Sequence, residues 1–234
     1  MGNVSFLQVT GAWNGPTDLL PREFADKYPS AEVIGTDLSP IQPQWVPTNC
    51  RFELHDAQTR WHYPDNYFDF VHVRCLMGSI KDWPALYSEI FRCLKPGGWF
   101  EHLDYSIDIA SDDGSIRPGS AWDGWGKFFQ DAGEKMGQTY RIIEDGRFVQ
   151  WQRDTGFQNI DSHYFKLPFG GWPADRKWKQ VGLYNQVVTD ESMEGYVLWM
   201  LIKVCGWEYS DVEAFIDKAR NALRDRSVHA YFGA

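Results

Sequence analysis

Cysteine is scarce in this chain: four among 234 residues. Cys50, Cys75, Cys93 and Cys205 stand far apart, with no pair at metal-ligand or redox spacing, which argues against a zinc site or a disulfide framework. Basic residues are outnumbered, 23 against 32 acidic, giving a formal net charge of −9. The Lys and Arg residues are also dispersed, so no basic stripe offers itself to nucleic acid. No basic segment followed by an apolar stretch opens the chain, so no secretory signal is read. The longest apolar run, Tyr196 to Ile202, is too short to cross a bilayer and stops at Lys203. These absences predict a soluble, cytoplasmic protein with neither a nucleic-acid nor a membrane partner. Aromatics, in contrast, are abundant at 16%, including 12 Trp. They supply either a well-packed core or a cleft for an apolar ligand.

The first 105 residues alternate between strand and helix patterns. Strands are expected at Val4–Thr10, Ala31–Thr36, Arg51–Leu54, Phe68–Arg74 and Trp99–Asp104. Gly11 to Pro16 reads as a turn, and Thr17 or Asp18 as the cap of a helix ending at Tyr28. Pro40, Pro43 and Pro47 keep the next segment extended or looped. Asp82 reads as the cap of a helix running to about Leu94, stopped by Lys95-Pro96-Gly97-Gly98. Such alternation implies an α/β fold with a mostly parallel sheet and helices on both faces. Beyond residue 105 the patterns turn helical: Trp122–Met136, Phe148–Asp154, Arg176–Thr189, Glu194–Cys205 and Ser210–Arg224, with Asn159–Leu167 as a strand. Ser210 and Glu213 have capping-box spacing. The expectation is one domain over 1–234, with residues 1–105 as the α/β half and 106–234 as a helical cover plus remaining strands.

In such a sheet, ligands sit at the carboxyl ends of the strands. Asp37 ends the second strand, where a carboxylate either accepts hydrogen bonds from ribose hydroxyls or caps a loop. Asp56 and Ala57 follow the third strand and offer either an adenine contact or a solvated turn. Arg74 ends the fourth, either ordering Asp37 or Asp56, meeting a substrate, or closing a structural salt bridge. His102 and Asp104 share one face of the fifth strand. There His102 is either a general base for a substrate hydroxyl or a satisfied core histidine. His72 reads as a packed strand residue.

Taken together, Ile34-Gly35-Thr36-Asp37-Leu38-Ser39-Pro40, Asp65-Asn66-Tyr67-Phe68-Asp69, Met77-Gly78-Ser79-Ile80-Lys81-Asp82-Trp83 and Leu94-Lys95-Pro96-Gly97-Gly98-Trp99 resemble the class I S-adenosylmethionine-dependent methyltransferases. Phe24 to Ser30 and Val228 to Phe232 are similar to the LaeA-like group of fungi. The resemblance implies a Rossmann-like sheet of seven strands, S-adenosyl-L-methionine as methyl donor, and a role in secondary metabolism or its regulation. It places Asp37 on the donor's ribose, Asp56 and Ala57 at the adenine, and Arg74 with the following loop beneath the methionine moiety. No catalytic residue carries over, since these enzymes often work by proximity. The chain departs from the pattern in three places. The family's Gly-x-Gly-x-Gly positions hold Asn14, Pro16 and Asp18, and sliding the frame recovers only Gly11 and Gly15. Few residues precede the first strand, and the sequence ends at Ala234, where the family continues through a final strand. The functions implied are methyl transfer to a small apolar natural product, a cofactor-independent cyclisation on the same fold, or a non-catalytic regulatory role with a protein partner, in which case the nucleus is a possible compartment.

Overall fold

The computed structural model describes residues 4–10, 19–39 and 45–234. The turn from Gly11 to Pro16, the cap at Thr17 or Asp18, the glycine-motif positions Gly11, Asn14, Gly15, Pro16 and Asp18, and Pro40 and Pro43 lie outside the described residues. The chain divides into two compact units, Met1–Asp104 with Gly146–Asp161, and Tyr105–Asp145 with Ser162–Ala234.

The first unit is built on five parallel strands: β1 (Ser5–Thr10), β2 (Glu32–Asp37), β3 (Cys50–Leu54), β4 (Phe68–Arg74) and β5 (Leu94–Leu103). Their order in the sheet is β3-β2-β1-β4-β5. The winding reverses between β1 and β4, which makes that edge the topological switch point. Helix α1 (Leu19–Lys27) lies on one face, where Ala25 and Phe24 pack against Phe6, Val33 and Cys50. Val33, Ile34, Val71 and Val73 are fully buried, as central parallel strands require.

Helix α2 (Trp83–Cys93) starts as its sequence dictates. The Asp82 carboxylate accepts from the Ala85 amide at 2.9 Å, and Pro84 occupies the first turn, where no amide is needed. It ends at Cys93, next to the expected Leu94, but the following strand starts earlier than the expected Trp99. Leu94 already pairs with Phe68, so Lys95 to Gly98 form a bulge inside β5, with Gly97 at φ +80°. A second difference concerns α4 (Arg147–Thr155), which packs on α2 in the first unit through Tyr87–Trp151 rings 6.4 Å apart, while Phe157 just beyond it meets Phe91 at 5.1 Å.

Arg92 on α2 is the clamp of this unit. Its guanidinium donates to the carbonyls of Trp61 (3.0 Å) and Tyr63 (2.9 Å) and to the carboxylates of Asp65 and Glu89, both 2.8 Å. Trp61 and Tyr63 are buried, so the clamp seats the segment that follows β3. Arg92→Ala is expected to lower the unfolding free energy by about 3 kcal/mol, because two buried carbonyls and a partly buried carboxylate lose their donors. Arg92→Lys should recover less than half, since an ammonium cannot reproduce the planar fork. Urea denaturation of the three chains checks this; a lysine variant as stable as wild type would contradict it.

The second unit holds β6 (Ile109–Ala110), β7 (Lys166–Pro168) and β8 (Tyr231–Gly233) in an antiparallel sheet of order β6-β8-β7. The seven-strand sheet implied by the resemblance is therefore corrected among the described residues: five strands are parallel, and these three short ones pair only with each other. The strand expected at Asn159–Leu167 shrinks to β7. Helix α3 spans Trp125–Met136, between Gly124 and Gly137 in left-handed conformations. Arg176–Thr189 and Glu194–Cys205 are not two helices. One helix, α5 (Arg176–Trp199), runs on into a π-helical turn at Met200–Val204, because nothing between Asp190 and Met193 breaks the backbone and Thr189, Met193 and Val197 stay on the buried side. Helix α6 (Tyr209–Arg224) begins before Ser210, with Glu208 as its cap. Ser210 thus lies inside the first turn and the expected capping box does not form. Part of the aromatic wealth goes into packing, with Trp61, Trp83, Trp122, Trp125, Tyr87 and Phe129 buried, while Trp45, Trp99, Trp199 and Tyr184 are exposed.

Glu144 is an unusual carboxylate of the second unit. Burial pushes its pKa above the ordinary value, although the Ser106 hydroxyl hydrogen-bonds one oxygen and opposes the shift. A carboxyl whose folded pKa is raised holds its proton more tightly folded than unfolded. Its stabilising contribution is present below the unfolded pKa and is lost as pH rises through the folded one. Glu144→Gln should therefore gain stability relative to wild type as pH climbs from about 4 to about 7. Thermal melts across that range read the difference directly, and a gap that stays constant with pH would rule out the buried-carboxyl origin.

Candidate functional site

The candidate site is the carboxyl edge of the parallel sheet in the first unit. Neighbouring strands lie about 4.8 Å apart, so the edge from β3 to β4 spans about 14 Å, enough for an extended nucleoside conjugate. Asp37 closes β2 and is 4% exposed. Its carboxylate accepts from the Ser39 amide at 2.8 Å, while its carbonyl accepts from His55 at 3.1 Å and ties the ends of β2 and β3 together. A short polar side chain beyond a run of buried residues explains the position: the strand ends where the carboxylate caps the turn.

Asp56 and Ala57 form the turn after β3. The Asp56 carboxylate accepts from Gln58 N at 2.9 Å, and its carbonyl accepts from Thr59 N and Thr59 Oγ1 at 3.0 and 2.8 Å. The Ala57 carbonyl accepts from the indole of Trp61 at 3.1 Å. Gln58 in turn accepts from Lys81 N at 2.8 Å, joining this turn to the segment after β4.

Arg74 ends β4, half-buried, in register with Thr10 of β1 and Leu103 of β5. Among the described residues it forms no ion pair, so neither the expected structural salt bridge nor an ordering contact to Asp37 or Asp56 is made. The next residue, Cys75, adopts φ +56°, a left-handed conformation that costs a non-glycine residue energy. Strain of this kind persists only where surrounding contacts over-determine it. Here they do. Cys75 N donates to the Leu103 carbonyl at 3.1 Å, and the Leu76 and Met77 amides both donate to one oxygen of Asp104, at 3.1 and 2.9 Å. Ser79 N then closes the turn on the Leu76 carbonyl at 2.9 Å, through Gly78 at φ +70°.

Asp104 is 3% exposed and is held in its turn by His102, whose Nε2 lies 3.4 Å from the same oxygen. His102 Nδ1 meets the Tyr87 hydroxyl at 2.8 Å, and the indole of Trp83 stacks on the imidazole at 5.1 Å. Burial raises the pKa of Tyr87, which also hydrogen-bonds Gln152 of α4. Both ring nitrogens of His102 are thus engaged by protein groups. That arrangement matches the core-histidine alternative, with His102 placed to position Asp104. His72 is likewise a packed strand residue, bonded to Glu101 on the adjacent strand at 2.8 Å.

Asp104 and Tyr87 are the residues that sequence reasoning undervalued. Asp104 stands two residues after a strand histidine and at a strand end, and Tyr87 lies on the buried face of α2, four residues after Trp83. Neither spacing by itself says that they meet. Among the described residues no group of three or more His, Cys, Asp or Glu is arranged to hold a metal, and no helix is long and apolar enough to cross a membrane.

A buried acidic strand end, a built turn after the third strand and a strained turn at the switch point together fit an adenosine-bearing ligand. Comparison with known proteins agrees. A family described as "Methyltransferase domain" matches residues 15–162. The "Methyltransferase pytC" of Aspergillus terreus is 34% identical over 220 residues, covering 92% of this chain and 66% of that protein. The "Secondary metabolism regulator LAE1" of Cochliobolus heterostrophus is 33% identical over 213 residues, covering 89% and 68%. The chain spans about two thirds of the length of these curated relatives. Among solved structures, Haemonchus contortus phosphoethanolamine N-methyltransferase 2, in complex with phosphomonomethylethanolamine and S-adenosylhomocysteine, superposes with a TM-score of 0.54 over 100% of this chain and 49% of that one. Its identity is 18%, so that likeness is one of fold.

Proposed function

The chain belongs to the methyltransferase-domain family, and from that premise we propose that it is an S-adenosylmethionine-dependent methyltransferase acting on a small, largely apolar natural product of fungal secondary metabolism. The observation that carries this reading is the buried carboxylate of Asp37 at the end of β2, on the carboxyl edge of a β3-β2-β1-β4-β5 sheet. Asp37 would take the ribose hydroxyls of the donor, as acidic residues at this strand end do for nucleosides. The Asp56–Ala57 turn would flank the adenine. The Cys75–Gly78 turn, shaped by Asp104, would underlie the methionine portion, beside Arg74. When bound, the donor supplies an electrophilic methyl group. The protein's share of the chemistry is to bring acceptor and donor together in line and to exclude water.

Calorimetric titration with S-adenosylmethionine tests the reading. Saturable binding supports it, and no heat at millimolar donor overturns it. With apolar fungal natural products as acceptors, a product in which one methyl has replaced one hydrogen identifies transfer. A product of unchanged mass identifies cofactor-independent cyclisation instead. The likeness to a secondary metabolism regulator favours a second reading, in which the methylated molecule is a protein partner. Labelled methyl recovered in a partner protein rather than in a metabolite would select it.

A further inference from the structure

Helix α5 presents an outer face that its own unit leaves uncovered. Leu183, Tyr184, Val187 and Val188 are 49%, 66%, 54% and 39% exposed, a contiguous apolar patch in mid-helix. Patches of this kind mark association surfaces rather than ordinary solvent faces. The centre of the face is the series Lys177, Gln180, Tyr184, Val187, Glu191, Glu194, whose steps alternate between three and four residues. That is the spacing of a coiled-coil seam, and it reads the same from either end.

The charges do not read the same from either end. The amino-terminal end carries Arg176, Lys177 and Lys179, and the carboxyl-terminal end carries Glu191 and Glu194. Lys177 and Glu191 form no ion pair among the described residues, and Glu194 reaches only the Arg220 guanidinium, at 3.2 Å, while remaining 61% exposed. A face with an apolar middle and opposite charges at its two ends is complementary to an inverted copy of itself. We infer that α5 is the seam of a symmetric homodimer, in which a second copy of this chain lays its α5 antiparallel against the first.

In that arrangement the twofold axis passes between Tyr184 and Val187. Tyr184 meets Val187 of the second copy, Leu183 meets Val188, Gln180 meets Glu191, and Lys177 meets Glu194. Arg176 falls opposite Gly195, where the space a side chain would occupy is open. Each contact occurs twice, as an isologous interface demands. A parallel pairing would bring Lys177 against Lys177 and Glu194 against Glu194, and is excluded by repulsion. The helix has 24 residues and is about 36 Å long, so the seam runs over several turns.

Analytical ultracentrifugation of the whole chain over a range of micromolar concentrations tests this. The monomer mass is 27.1 kDa, and the expected result is a concentration-dependent rise to twice that value. Val187→Glu places like charges near the axis and should leave only monomer, still folded by circular dichroism because the position is exposed in the single chain. Lys177→Glu should weaken dimerisation at least tenfold. An equimolar mixture of Lys177→Glu chains with Glu194→Lys chains should dimerise more tightly than either variant alone, since one of the two charge pairs is then restored in inverted form. A wild-type chain that stays at monomer mass at every concentration overturns the inference, as does a dimer that survives both Val187→Glu and Lys177→Glu. Wild-type monomers that bind a different protein through this face also overturn it.

Discussion

Asp37→Ala is expected to lower the affinity for S-adenosylmethionine by about two orders of magnitude, because hydrogen bonds to a charged acceptor are worth about 1.5–3 kcal/mol each and the ribose would lose two. Water entering the vacated space recovers part of that sum, which is why the expectation is set near the lower bound. The side chain also caps its own turn through Ser39 N, so the variant should lose a further 1 kcal/mol or so of stability, the ordinary cost of a lost cap. Asp37→Asn separates the two effects. It keeps one oxygen for the Ser39 amide and loses the charge, so it should melt close to wild type and bind the donor about tenfold more weakly. Titration calorimetry and a thermal melt on the same samples give both readings. Equal donor affinity in wild type and Asp37→Ala would remove Asp37 from the site.

Asp104→Ala should produce the largest loss of stability of any single substitution described above. The carboxylate takes two consecutive amides, Leu76 N and Met77 N, at a site that is 3% exposed, and His102 leans on the same oxygen. Leaving a buried donor unsatisfied costs about 1–3 kcal/mol, so two orphaned amides and one orphaned imidazole nitrogen put the expected loss at about 4 kcal/mol. Against a total of about 5–15 kcal/mol for a typical domain, this is a large share. The strain stored at Cys75 adds to the argument, because without Asp104 nothing on the β5 side holds the Leu76 and Met77 amides in place. Asp104→Asn keeps a carbonyl acceptor and should lose about half as much. Denaturant midpoints read the stability. At temperatures where the Asn variant stays folded, its donor affinity should also fall, since the displaced turn is the one that would underlie the methionine portion. An Asn variant with lowered stability and unchanged donor affinity would confine Asp104 to a purely structural part.

Much of the first unit was legible without coordinates. The strands at Phe68–Arg74 and around Val33 announce themselves by buried β-branched runs, and α2 by Asp82 and Pro84, because periodicity and capping are local properties of the chain. Asp37 was legible for the same reason, as an acidic residue directly after a buried strand. The errors also have local causes. Lys95-Pro96-Gly97-Gly98 follows the helix end as expected, yet it already lies inside the next strand as a bulge, since Leu94 pairs with Phe68. Ser210 and Glu213 have the spacing of a capping box but lie one step inside the helix. The stretch around Asp190 looks polar enough for a loop, but Met193 and Val197 on its far side hold the helix together through burial.

The residues of the candidate site divide in the same way. Local pattern was enough to show which strand ends carry a carboxylate and that those ends share one edge, because strand direction follows from the alternation of strand and helix. It could not determine what each of those groups touches. The folded arrangement was needed to show that Arg74 makes no ion pair with Asp37 or Asp56, that His102 spends both nitrogens on Tyr87 and Asp104, and that Asp104 shapes the turn at the switch point. Apart from His102 with Asp104, two residues apart, those hydrogen bonds join partners 15 to 28 residues away in the chain. Burial makes such pairings obligatory, and no local pattern records which partner will arrive.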